Sequence, residues 1–317
     1  EGGVVAAYFM GGDVKRATAL RLCRVMGVPK LDGMTLLVPA GTTNIGRGAL
    51  SNLGFRHVVL PPSLKWLQAY SFELNLCLLK VVVPPRCGLR AYVFSRCRAL
   101  KEVTIGPVDD VPVGAFKECT ALEKVSLSGV VQIWFEAFVG CSSLSLIPLP
   151  DTVSSIGAHA FSRSGIESFV FPPLVKTVES CCFFAASQLK TVDLRNVAVI
   201  ETSAFLETQL SSVSIPGTVE RIESHAFAKS TLQKVDFQDS DAVLYIDSAV
   251  FAWTRLRNVV LPLRVQHTGS CTFLGCTELE HLKINCNTSN SMCSQCEKLR
   301  VVVLPRTVED IKYGAFE

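Results

Sequence analysis

Charge is scarce in this chain, and so are the long apolar runs that would suit it to a bilayer. Charged residues make up 19 % of 317 positions and the net charge is +3. Basic residues are scattered among acidic ones, without the stripe that phosphate-backbone binding produces, so nucleic acid is not expected as the main partner. The longest apolar stretches, such as Val81-Val82-Val83-Pro84-Pro85, stop well short of the roughly 20 residues of a membrane span, and none is expected. Only five histidines occur, and none lies beside a Ser, Cys or carboxylate at a spacing that nucleophilic catalysis uses. Gly46-Arg47-Gly48 lacks the Lys-Ser/Thr of a phosphate loop. The sequence therefore predicts no enzyme, no catalytic residue and no cofactor. Hydrophobic residues still reach 49 %, enough for a continuous core and too many for disorder.

What the chain does have is one repeated phrase, clearest at Leu149-Pro150-Asp151-Thr152-Val153-Ser154-Ser155-Ile156-Gly157-Ala158-His159-Ala160-Phe161. Its aromatic returns at Phe72, Phe94, Phe116, Phe138, Phe161, Phe183, Phe205, Phe227, Phe251, Phe273 and Phe316, mostly in steps of 22 residues. A period of this length marks a solenoid, whose unit buries its apolar face only by stacking on copies of itself. Each repeat has three parts. A strand reads apolar, two variable, apolar, variable, apolar, as in Leu100 with Val103 and Ile105 or Leu189 with Val192 and Leu194. Alternation over its last three positions predicts a half-buried strand, and stacked copies would pair in parallel. A proline-rich exit follows, such as Pro61-Pro62, Pro84-Pro85 or Pro172-Pro173, because proline removes a ladder donor and sets the turn. The third part runs to Ala-Phe and a small residue three later, among them Cys97, Cys119, Cys141, Thr208, Ser230, Thr254, Cys276 and Cys296. The ring fills the wide part of the coil, and the small residue admits the next one.

This pattern resembles the leucine-rich repeats of the BspA-like type, over residues 34–317. The resemblance implies an α/β repeat fold: a curved solenoid with a parallel concave sheet of about twelve short strands and short helical or irregular convex segments. It also implies an adhesin, surface antigen or scaffold with no catalytic residues to carry over. Residues 1–33 fall outside the repeat and read as an N-terminal capping helix, with Asp13 as cap, Val14 to Met26 as helix and Gly27 and Pro29 as stop, or as the end of a preceding segment. The chain starts without methionine and stops at Glu317, one residue after Phe316, which reads as truncation within the last repeat.

Thirteen cysteines include Cys293-Ser294-Gln295-Cys296, the spacing of a zinc half-site. Register explains them otherwise: Cys276 and Cys296 fall in the small-residue slot and Cys293 replaces a core Phe, so structural thiols are expected rather than a metal. The acidic insert around Asp239-Ser240-Asp241 matches no calcium loop. An odd number of mostly buried thiols suits a reducing compartment, cytoplasmic or nuclear. The sequon Asn287-Thr288-Ser289 argues for the alternative, a cell-surface location.

The residues flanking the middle apolar position of each strand face away from the core. Apolar residues collect there at Val59 and Val82, at Leu146, Pro148 and Val170, and at Val301 and Val303. An apolar patch rimmed by polar groups is what a binding surface looks like. These seven are the candidate partner-binding residues. The function expected is a non-enzymatic protein-interaction scaffold using the concave surface, or alternatively a surface adhesin for host matrix or glycan.

Overall fold

A computed structural model of the chain describes Val4–Ala6 in backbone only, then residues 33–308 and 310–317. The capping helix expected over 14–26 lies outside the described residues. The chain divides into two compact units, Glu1–Val153 with Arg163–Ile166, and Ser154–Ser162 with Glu167–Glu317.

In the first unit a six-stranded parallel sheet runs Val4–Ala6, Thr35–Leu37, His57–Val59, Lys80–Val83, Glu102–Pro107 and Lys124–Ser128. Equivalent positions pair in register: Val81 faces Val103, which faces Val125. Burial alternates along Lys80–Val83, with Val81 and Val83 inside and Lys80 and Val82 outside, as the apolar spacing requires. The expected strand through Leu146–Pro148 does not form. Pro148 occupies the slot of Ser126 and has no N–H for a ladder. In the second unit the corresponding strands pair in parallel as Ser168–Val170 with Thr191–Asp193, Ser212–Ile215 with Lys234–Phe237, and Asn258–Val260 with His281–Lys283 and Val301–Val303.

A second column of very short parallel strands, which the repeat pattern did not announce, follows the proline turn. It comprises Asn44–Ile45, Trp66–Leu67 and Gly88–Leu89, then Asp110–Val111 with Gln132–Ile133, in the first unit. In the second it runs Thr177–Val178, Val199–Ile200, Arg221–Ile222, Leu244–Ile246 and Val265–Thr268. Each coil thus has a strand face, a short-strand outer face and a turn segment around the aromatic.

The helical alternative for the turn segments is not realised; among the described residues there is no helix. Residues two before and two after each aromatic instead take left-handed φ, for example Tyr70 (59°) and Leu74 (61°), or His225 (60°) and Lys229 (54°). This conformation costs an L-residue about 1–2 kcal/mol, and hydrogen bonding offsets it. Alternate amides return three residues back within the coil, as Ser71 to Gln68 and Glu73 to Tyr70. The others donate to the next coil, as Tyr70 to Ala91, Phe72 to Val93 and Leu74 to Ser95, at 2.9–3.1 Å. A helix would turn every amide back on its own coil and leave the stack without this ladder.

The aromatics form one buried column in each unit. Phe94, Phe116 and Phe138 stack at 5.3–5.6 Å, and Phe183, Phe205, Phe227, Phe251 and Phe273 at 5.2–5.8 Å, all with rings within 13° of parallel. Cys293 continues the series as a buried residue. The small slot caps the carbonyl of the aromatic. Cys97, Cys119 and Cys141 donate their thiols to the carbonyls of Phe72, Phe94 and Phe116 one coil back, at 3.1–3.2 Å. Thr208, Ser230 and Thr254 bond instead to the aromatic of their own coil. Burial pushes the Cys97 and Cys276 thiols up to about 12 and raises Cys119 and Cys141 as well, so they stay protonated donors. One coil beyond the Asp239–Asp241 insert, buried Arg264 reaches back past it and donates to the carbonyls of Val219 and Pro216, at 2.7 and 3.1 Å.

Candidate functional site

Two surfaces offer themselves. On the strand face, the positions that flank the middle apolar residue stack in columns: His57, Lys80, Glu102 and Lys124 are successive partners, as are Val82, Thr104 and Ser126. Val59 and Val82 are exposed on adjacent strands of the first unit, beside the Lys80–Glu102 ion pair at 3.0 Å. Leu146 and Pro148 are exposed in the strandless segment of that unit, Leu146 at 59 %. In the second unit Val170 is exposed on the Ser168–Val170 strand, and Val301 and Val303 share one strand. Val260, left out of the candidate set, belongs with them. It is 60 % exposed and pairs with Lys283, which pairs with Val303.

The second surface is the outer face, where the strand-face reading found nothing. In the first unit the Trp66 ring lies across Gly88 of the next coil; any Cβ there would fall inside it. The Arg90 guanidinium sits 4.4 Å from that ring's centroid. Tyr70 stacks on Tyr92 at 5.1 Å and 5°, Arg47 covers Tyr70 at 5.2 Å, and Tyr92 in turn lies over Gly114. Trp134 and Phe135 are exposed farther along the same face. An open groove of about 500 Å³ is lined by Trp66, Arg86, Arg90, Asp109 and Asp110.

In the second unit the same face is acidic and bonded to itself. Glu201 accepts the amide and hydroxyl of Ser180 at 2.9 and 2.8 Å, and Glu223 those of Thr202. Arg221 pairs with Asp247 at 2.8 Å. Burial, then the neighbouring Glu201, raises the Glu179 carboxyl. Among the described residues no three His, Cys, Asp or Glu side chains are grouped to hold a metal ion, and no helix is long and apolar enough to cross a membrane.

The model of the BspA type leucine rich repeat region matches residues 34–132, 109–233 and 198–317. The chain belongs to that family. No protein of curated function is detectably similar in sequence. Among solved structures, a leucine-rich repeat protein from Bacteroides ovatus is similar at 23 % identity with a TM-score of 0.67, over 75 % of this chain and 72 % of that one. The pneumococcal vaccine antigen PcpA is similar at 17 % identity with a TM-score of 0.51, over 96 % and 78 % of the respective chains. Both share the fold. For this BspA-type chain, the coil geometry is therefore that of its family, and its particular chemistry lies in the residues set on the two faces.

Proposed function

We propose that the chain is a non-enzymatic interaction scaffold that binds a protein partner through its strand face. The observation that carries this reading is the set of exposed aliphatic side chains on ladder positions, Val59 and Val82 in the first unit and Val260, Val301 and Val303 in the second, with Leu146, Pro148 and Val170 as further contacts. Such residues gain free energy only when a partner covers them. The free, buried thiols of Cys97, Cys119, Cys141 and Cys276 suit a reducing compartment, the cytoplasm or nucleus.

The test is affinity capture of the full protein from its native cell, followed by quantitative mass spectrometry against Val82→Glu, Leu146→Glu and Val303→Glu chains of unchanged melting temperature. Loss of a stoichiometric partner in any of them supports the strand face; undiminished capture by all three overturns it. A second reading, a surface adhesin for matrix or glycan, rests on the exposed side chain of Asn287 in its sequon. Glycan mass on the Asn287 peptide from the native protein would favour it over the first.

A further inference from the structure

The outer face of the first unit carries arginines set against or beside aromatic rings. Several basic residues of this unit meet carboxylates: Lys80 with Glu102, Arg96 with Glu118, Lys101 with Glu123 and Lys117 with Glu136. Arg47, Arg86 and Arg90 enter no ion pair among the described residues, and Arg47 and Arg90 lie against aromatic rings. A ring face takes none of a guanidinium's N–H hydrogen bonds, and the fork it leaves unused matches a carboxylate with two parallel hydrogen bonds. Trp66, exposed on its outer side, lies over Gly88 and offers an aromatic anchor beside it.

We propose that the groove lined by Trp66, Arg86 and Arg90 binds an extended acidic peptide segment of a partner protein. Three features choose this occupant. The unpaired arginines call for carboxylates. Asp109 and Asp110 line the same groove and would repel a uniformly anionic polymer, while the backbone amides of an extended peptide supply the donors they accept. A second copy of the chain is a poor fit, because three of the four carboxylates in the acidic column of the second unit are engaged by Ser180, Thr202 and Arg221. This inference is independent of the strand face.

The experiment is selection of a phage-displayed library of random dodecapeptides on the full chain, with Arg86→Glu, Arg90→Glu and, as control, Val82→Glu chains whose melting has been compared beforehand. Selected peptides should be enriched in Asp and Glu. Their synthetic forms should bind wild type and Val82→Glu alike and lose about tenfold or more in affinity with each arginine variant. Binding should also perturb indole emission in wild type but not in Trp66→Phe. Should Arg90→Glu fail to fold, Arg86→Glu decides. No acidic enrichment, or equal binding by both arginine variants, overturns the proposal. Displacement of the peptides by heparin but not by excess peptide would reassign the groove to a polyanion. A wild-type dimer in sedimentation that Arg90→Glu dissociates would reassign it to a second copy.

Discussion

Four residues before the buried aromatic, the first unit holds Gln68, Arg90, Pro112 and Trp134, whereas the second holds Glu179, Glu201, Glu223 and Asp247, with glycine at 157 and 269. The backbone at this position is the same short-strand end in both. In the second unit three of these four side chains hold neighbouring coils together, by accepting the Ser180 and Thr202 donors or by pairing with Arg221. In the first unit Gln68 also bonds the preceding coil, donating to Asn44 at 3.0 Å, whereas Arg90 lies on the Trp66 ring and enters no ion pair. The difference teaches that one repeat slot serves either cohesion or recognition, and that free capacity marks the surface open to a partner.

The comparison can be broken or sharpened by substitution. The largest effect should be common to both units: Phe94→Ala in the first and Phe205→Ala in the second should each cost about 3–5 kcal/mol in denaturant unfolding. Loss of hydrogen-exchange protection should be confined to adjoining coils. Glycines then separate the two. A Cβ at Gly269 meets the backbone of Asp247 and Ser248, whereas one at Gly88 meets only the Trp66 ring. Gly269→Ala should therefore cost about 1–3 kcal/mol. Gly88→Ala should cost less than about 1 kcal/mol while it pushes Trp66 into solvent, read as a red shift of emission.

Glu201→Ala should cost about 1–2 kcal/mol, because it strips the partner from two donors of Ser180. Arg90→Ala, which leaves no hydrogen bond unmade, should change stability by under about 0.5 kcal/mol. Glu179 adds a pH dependence to the second unit. Its carboxyl is raised in the folded chain, so its contribution is fully present below the ordinary Glu range and is lost as pH rises through the folded value. Urea midpoints between pH 4 and 7 should show that loss in wild type and not in Glu179→Gln. A small effect of opposite sign belongs to the turn segments. Ser203, at φ 58°, replaced by Gly should gain roughly 0.5 kcal/mol, since relief of left-handed strain exceeds the added chain entropy.

Much of this fold was legible because the period is an address. Once Phe94, Phe116 and Phe138 share a slot, the strand register and the outward columns follow from counting, and the ladders pair those residues. The segment at Pro148 was misread because one proline outweighed a good apolar spacing. The left-handed turns were illegible: their positions hold Tyr, Leu, Arg, Glu, His and Trp, and the coil above, not the residue type, dictates the conformation. The outer-face aromatics did leave a signal. Trp66 is followed 22 residues later by Gly88, Tyr92 by Gly114 and Trp253 by Gly275, and in all three pairs the ring lies over the glycine. An aromatic answered by glycine one period on identifies a ring that leans across to the next coil.

The ladder of the turn segments has an electrical consequence. Within each unit, the amides that leave a coil from beside the aromatic all point toward the following coil, and the carbonyls that receive them all point back. Peptide units of about 3.5 D each are thereby set head to tail in parallel rows. The turn segments of each unit accordingly carry a dipole along the stacking direction, positive toward later coils, which short-strand amides oppose by donating to earlier coils, as Gly88 to Lys65 and Arg90 to Leu67. It is fixed by the backbone and would survive any change of surface side chains.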